Sequence, residues 1–308
     1  MTKLTRQWRS AVALLLLVLP GCATVMSPPP TAFEVTGTHQ ELDSLPPPAK
    51  PLVVAVYGYQ DQTGQFKATD TVASYSHAVT QGATSVLIKA LQDAGQGRWF
   101  TVVERERLNN LVTERQIVRE QRQNYTTPEG KQLPPLPPML YAGLLLEGGV
   151  IGYDTDTTTG GLGASYLGIG ADSQYREDTV TVYLRAVSTQ TGEVLNSVMV
   201  KKKIISYGLQ GSIFKFVAYQ KLLQIETGFT SNEPALVALR QAIEEAVVAL
   251  VVQGARKSGW SFADAAAGTA FVNRWLADQG AIEAADRTAG RAAPATAPAT
   301  NSAEGAPR

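Results

Sequence analysis

Apolar and polar positions fall in blocks along this chain, and the period of the blocks switches between two and nearly four. Pro51 to Tyr59 (PLVVAVYGY) is a β-branched apolar run closed by the polar loop QDQTGQFK, and it predicts a buried strand. From about Tyr75 to Ala94 the apolar residues sit at Val79, Ala83, Val86, Leu87, Ala90 and Leu91, which is helical spacing, and Gly95 and Gly97 stop it. Trp99 to Val103 (WFTVV) predicts a second strand. Glu104 to about Arg122 returns to a helix, with Leu108, Leu111, Val112, Arg115 and Val118 on one face. A proline-rich loop, Asn124 to Pro138, leads to a strand at Leu144 to Tyr153. In Thr179 to Val187 (TVTVYLRAV), Val180, Val182, Leu184 and Ala186 share one face. Thr189 to Glu193 then turns, and Val194 to Val200 returns, the best hairpin signal in the chain. Ser231-Asn232-Glu233-Pro234 predicts a helix start capped by Asn232. Leu236, Leu239, Ile243, Val247 and Leu250 form its apolar stripe. Ala246 to Val252 broadens that stripe, and the helix ends near Gly254 or Gly259 with Arg256 and Lys257 at its C-terminus. The sum is a compact body of α+β class.

Two inserts interrupt the predicted sheet. Residues 154–176 join the strand at Leu144 to the one at Thr179, and residues 201–229 lead from the hairpin to the last helix. Both are rich in glycine, serine and tyrosine. Each is long enough for two strands of roughly ten residues, the length a tilted strand needs to cross a bilayer. Leu162, Ala164 and Tyr166 share a face, but Leu167 and Ile169 lie on the other, so the alternation is imperfect. Tyr166, Tyr175, Tyr207, Phe214, Phe216 and Tyr219 are candidate membrane-interface aromatics. Periodicity alone equally allows soluble surface loops or longer sheet strands.

The two ends read differently from the body. Lys3, Arg6 and Arg9 precede a short apolar run, Ala11 to Leu19, the pattern of a secretory signal rather than a membrane span. It ends in Leu19-Pro20-Gly21-Cys22, which resembles a bacterial lipobox. Cys22 is the only cysteine, so an internal disulfide is impossible and thioether lipidation is the reading. The bland alternative is a small buried or leftover thiol. Acyl chains on Cys22 contribute ~0.8 kcal/mol per buried CH₂. Ala23, rather than Asp, implies by resemblance to bacterial lipoproteins transfer to the outer membrane. Ser27 to Pro30 and Pro46 to Pro48 favour an extended tether over residues 22–50, a plain linker or a wrap around a neighbour. From Ala277, and strongly after Ala289, an Ala/Pro/Thr-rich composition predicts a disordered tail.

Charge and chemistry narrow the function by what they lack. The 27 basic and 27 acidic residues balance, which argues against a nucleic-acid surface. His39 lies in the expected tether and His77 beside a loop, with no partner in sequence for catalysis. GGLGASYLGIG has the glycines of a dinucleotide loop but not the following helix or acidic residue. Asp154, Asp156 and Asp172 lack calcium-loop spacing and read as solvated turn acids. No enzyme chemistry, cofactor or metal is expected beyond the acyl groups on Cys22.

The motifs QDQTGQFK at Gln60 to Lys67, RWF at Arg98 to Phe100 and IGYDTDTTTGGLGASYLGIGADSQY at Ile151 to Tyr175 are long and specific. With STQTGEVLNSV and FKFVAYQKLLQIETGFTSNEP at Phe214 to Pro234, they resemble the CsgG family of outer-membrane lipoproteins of curli secretion, over roughly Leu45 to Trp260. The resemblance implies a ring of about nine subunits, each giving two transmembrane hairpins to one barrel of about 36 strands, the size of the largest known. It implies export of unfolded curli-type amyloid subunits by diffusion, a periplasmic capping adaptor, a surface nucleator-type protein and outer-membrane lipids as partners. The family's pore is narrowed by a loop after the first strand, which here is Phe66 to His77. On that pattern Phe66, Ser74 and Tyr75 are the constriction residues; the family's tyrosine has no counterpart, with Thr69 and Asp70 nearest. Tyr75 also suits a core aromatic at a helix start.

The expected layout is a signal peptide over 1–21 and a lipidated tether over 22–50. A periplasmic domain from 51–153, 177–200 and 230–262 carries transmembrane hairpins at 154–176 and 201–229, and a C-terminal segment fills 263–308. Physics demands the ring, since four strands cannot close a barrel and open edges cannot stand in lipid. The competing reading is a monomeric periplasmic lipoprotein that regulates a partner such as a cell-wall synthase; it would lack the hairpins.

Overall fold

The structure is a computed structural model that describes residues 35–64, 80–159, 174–209, 213–217, 234–257 and 259–292. The chain divides after Val35, and the elements below belong to the unit Thr36–Arg308. In order they are α1 (Gly37–Asp43), β1 (Leu52–Asp61), α2 (Ala83–Gly97), β2 (Phe100–Glu104), α3 (Leu108–Asn124), β3 (Leu144–Thr159), β4 (Gln174–Ser188), β5 (Val194–Leu209), β6 (Ile213–Val217), α4 (Pro234–Arg256) and α5 (Ala265–Ala292).

The six strands form one sheet, ordered β2-β1-β3-β4-β5-β6. β1 runs parallel to β2 and β3, and the remaining pairs are antiparallel. Alternation sets the faces. Val180, Val182, Leu184 and Ala186 of β4 are all fully buried, as the sequence predicts, while Arg185 stands out on the opposite face. There it donates to Glu147, its cross-strand partner, through Nε at 3.0 Å. The buried face packs against α2 and α4. Ala246 through Val252 of α4 are buried all round, the outcome of the broadened apolar stripe; Leu236 is the member of that stripe left exposed. Residues 189–193 make the expected turn, with Gly192 at φ +72°.

Three expectations are corrected. The stretch 37–50 is not a free tether. Thr36 caps α1 by accepting from the His39 amide at 3.1 Å, and Leu42 and Leu45 are buried. Pro46 accepts from the Trp99 indole at 2.8 Å, and Pro48 bridges to Phe262. Proline forbade a helix only where it occurs, and the apolar leucines before it drive docking. The tail is helical through Ala292. The segment from Ala277 holds no proline before Pro294, and alanine is the best helix former. Phe271 and Trp275, one turn apart, are buried and seat α5. The face predicted on α3 is not buried, and no α3 residue is. Its partner is a proline-rich strap: Arg105, Arg115 and Arg122 donate to the carbonyls of Leu140, Pro137 and Pro134 at 2.9, 2.6 and 2.7 Å. Boundaries also shift: α2 begins at Ala83, after a turn at Gln81 and Gly82, rather than near Tyr75.

Candidate functional site

β3, β4 and β5 overrun the body as continuous strands, with a register shift in the β3–β4 ladder between Val150 and Gly152. β3 was expected to stop at Tyr153 and β4 to begin at Thr179. Instead the β3–β4 ladder continues from Leu144↔Ser188 out to Thr159↔Gln174, and β4–β5 out to Tyr175↔Tyr207. A 16-residue strand at ~3.4 Å per residue is roughly 50 Å long. β1 makes its last pair at Asp61↔Val150. Past that point, among the described strands, β3 has β4 on one side and nothing on the other; β6 pairs only with β5. Among the described strands, the overrun is a four-stranded ribbon whose outer edges, on β3 and β6, are unpaired. Asp154 and Asp156, expected in a turn, are residues of β3.

The place where the ribbon leaves the core is polar. Asp178 is fully buried and accepts from the Tyr153 hydroxyl at 3.0 Å and from Thr155 Oγ1 at 2.7 Å. Opposite Asp178, Ile204 is the last described core residue of β5. Before it come Lys201, Lys202 and Lys203. Lys203 Nζ lies 3.6 Å from Glu177 of β4, and Lys202 faces Glu245 of α4. A charged and hydrogen-bonded collar thus separates the apolar core from the ribbon.

A second junction lies at the end of β1. The Tyr59 amide donates to Thr84 Oγ1 at 2.9 Å, and that hydroxyl donates back to the Tyr59 carbonyl at 3.3 Å, tying β1 to the first turn of α2. The Tyr59 ring lies over Gly148 of β3. A Cβ on Gly148 would stand 2.6 Å from that ring, so only glycine admits the approach. The Tyr59 hydroxyl is buried with no hydrogen-bond partner among the described residues. Burial, and secondarily Tyr183, push its pKa far above the ordinary phenol range, so it stays neutral. Two residues on, Asp61 accepts from the Thr63 amide and hydroxyl on Oδ1, at 2.9 and 2.7 Å, and from Gln81 Nε2 on Oδ2 at 3.5 Å. One carboxylate therefore holds both ends of the segment between Gly64 and Thr80. Phe66, Ser74, Tyr75 and His77 fall in that segment and lie outside the described residues, as do Cys22, Tyr166 and Tyr219.

The other interface aromatics are placed by backbone register. Tyr175 and Tyr207 are cross-strand partners, while Phe214 and Phe216 stand opposite Gly208 and Ser206. Alternation puts the two tyrosine positions on one face of the ribbon and the two phenylalanine positions on the other. His39 is in α1 rather than a tether. Its Nδ1 is 3.5 Å from Glu244 of α4. Glu244 is buried and accepts from Thr36 and Thr38 hydroxyls at 3.0 and 2.6 Å, so this group fastens α1. Among the described residues, no group of three or more His, Cys, Asp or Glu is placed to hold a metal ion. No described helix is long and apolar enough to cross a membrane.

Residues 36–274 match the family model described as "Curli production assembly/transport component CsgG". The curated protein of that name from Salmonella typhimurium is 41% identical over 257 residues, covering 82% of this chain and 90% of its own. Its Escherichia coli K12 counterpart is 41% identical over 249 residues, covering 79% and 87%. Two solved structures show a remote likeness. Protein XCC0632 from Xanthomonas campestris aligns at a TM-score of 0.32 and 10% identity over 70% of this chain and 89% of its own. A PelC dodecamer from Paraburkholderia phytofirmans aligns at 0.28 and 13% over 67% and 93%.

Proposed function

The chain belongs to the CsgG family of curli production assembly/transport components, and on that premise we propose that it is a subunit of a secretion pore in the outer membrane. Copies share the ribbon β3–β6 around a ring and close one β-barrel. Unfolded curli-type amyloid subunits pass through it from periplasm to cell surface by diffusion, without nucleotide hydrolysis. Cys22 carries the lipid anchor, and the body stays on the periplasmic side.

The observation that supports this reading is the continuous ribbon whose two edges are unpaired among the described strands. A row of unpaired amides and carbonyls cannot stand in hydrocarbon, where each costs several kcal/mol. In water the same edges invite association with any other strand. Joining β3 of one copy to β6 of the next satisfies both edges at once, with no new element. The collar of Lys201–Lys203 with Glu177 and Asp178 sits where such a barrel would meet the headgroups. The uncovered apolar side chains of α3, Val112 and Ile117, give the bodies a surface to share. In the segment held by Asp61, the aromatic and hydroxyl side chains of Phe66, Ser74 and Tyr75 would offer a passing chain weak contacts that tolerate many sequences.

The test is the assembly itself. Detergent extracts of membranes are run on blue native gels and imaged by electron microscopy, with the full chain and with residues 156–176 replaced by a two-residue turn. Rings from the full chain, and smaller species from the shortened one, are expected. A full chain that remains a monomer at high concentration sinks the proposal.

A further inference from the structure

The helices that cover the sheet lie on one side of it. α2 and α4 pack on the face that holds Val182 and Val198, and α1 packs in turn on α2 and α4. The opposite face carries apolar groups where β3, β4 and β5 approach the ribbon. Tyr183 and Met199 are cross-strand partners on that face, since Val182 and Val198 beside them point into the core. Met199 is 67% exposed, and Ile151, at the register shift of β3, is 40% exposed. Charges flank this group in pairs: Arg185 holds Glu147 on one side and Lys203 holds Glu177 on the other. An island of one aromatic ring, one thioether and one branched side chain is left bare between them.

On the pore reading proposed above, three observations turn this island toward the ring's interior. A ring has less room along its inner circumference than along its outer one, so the face without a helix layer fits inside. α1 belongs to the helix layer, and residues 23–35 lead from it to Cys22, whose acyl chains would enter lipid outside the barrel. Gln62 donates from Nε2 to the Tyr183 hydroxyl at 3.3 Å. It lies over Gly149, where a Cβ would stand 2.9 Å from the same nitrogen. The segment after Gly64 therefore sets out from the island itself.

From this geometry we infer that Tyr183, Met199 and Ile151 are a contact surface for the exported polypeptide, met before it reaches the segment 65–79. The occupant is an extended, unfolded stretch of that polypeptide. Methionine is unbranched and polarizable, and it fits many partners. Tyrosine supplies a rigid ring at low entropic cost. An unfolded chain offers its apolar side chains singly, so a few exposed groups repeated in every copy hold it in many registers. Traffic requires contacts strong enough to admit the chain and weak enough to release it, which a small island meets better than a deep groove.

Single-channel recording of the full chain in planar bilayers tests this, with an unfolded synthetic Gln/Asn-rich peptide added on the periplasmic side as the probe. Met199→Ser should shorten the peptide's current blockades on the order of fivefold. Tyr183→Phe loses the bond from Gln62 but keeps the ring, and should retain the parental blockade time; Tyr183→Ser should shorten it. Leu236→Ser, at an exposed leucine of the helix layer, should leave it as in the parent. A charged methanethiosulfonate reagent should reach Met199→Cys from the periplasmic side and lower the open-channel current. Unchanged blockades in Met199→Ser overturn the contact surface. So does a current indifferent to modification of Met199→Cys. A photoreactive group on that thiol that captures a second copy instead of the peptide also overturns it, and assigns the island to a subunit interface. If the parent chain forms no channels, the pore reading itself falls; channels with unaltered blockades sink this inference alone.

Discussion

Tyr59→Phe should make this protein more stable. The ring fills the space over Gly148, where there is no room for a Cβ, and it is 1% exposed. Phenylalanine keeps that packing. The hydroxyl lost is buried with no hydrogen-bond partner among the described residues, so in the folded state it forgoes the bonds it makes to water when unfolded. Such an unsatisfied group costs about 1–3 kcal/mol. Against this stands a small void where the oxygen was, on the order of half a kcal/mol by the scale of cavity terms. The net expectation is a gain of about 1 kcal/mol. Urea denaturation of the full chain in detergent, followed by tryptophan fluorescence, reads it as a raised midpoint with an unchanged slope. A midpoint lowered by the equivalent of 1 kcal/mol would refute the reasoning, because it would mean that the hydroxyl is engaged.

Gly254→Ala sets two rules against each other. Alanine in a helix gains about 1 kcal/mol over glycine, but a Cβ here would meet the Trp260 ring at 1.9 Å and displace an indole that donates to the Val251 carbonyl at 2.8 Å. Overpacking of about 1–3 kcal/mol and a lost hydrogen bond of about 1 should win, lowering the denaturation midpoint. Glu244→Ala deprives Thr36 and Thr38 of their acceptor and should cost about 2 kcal/mol of α1 docking, seen as chymotryptic cleavage at Leu42 that the parent resists. Asp61→Ala unties both ends of the 65–79 segment. In planar bilayers it should broaden the distribution of single-channel currents while the rings on native gels stay intact.

Where one side chain period dominates, the sequence was easy to read. β4 could be written down from TVTVYLRAV, and α4 from its continuous apolar surface, because burial on one face or all faces leaves a pattern in the residue order. Strand ends were another matter. Tyr153 to Thr159 is YDTDTTT, whose acids and threonines look like a turn; they form strand because β4 lies opposite them in register, a contact between residues far apart in sequence. α1 hid behind prolines, and its anchor, Glu244, is more than two hundred positions away. On α3 the spacing correctly marked an amphipathic helix but could not say whether its apolar side meets this chain or another. Of the site, the motif around Asp61 was visible, while its clamp on Gln81 and the buried Asp178 were not, since each depends on where a distant side chain ends up. In the inserts, where periodicity left loops and strands equally open, the long motifs identified the family.

The continuity of β3, β4 and β5 also has a mechanical meaning. A paired strand resists stretching and has no swivel, and nothing like a linker intervenes between the part packed under α4 and the part beyond Asp178. Turning the body by a few degrees must therefore swing the far tips through a proportionate arc, as the short arm of a lever moves the long one. In the proposed ring, the width at the distant end would then be governed by how the near ends are braced against one another, and tightening or slackening that brace would be felt tens of ångströms away.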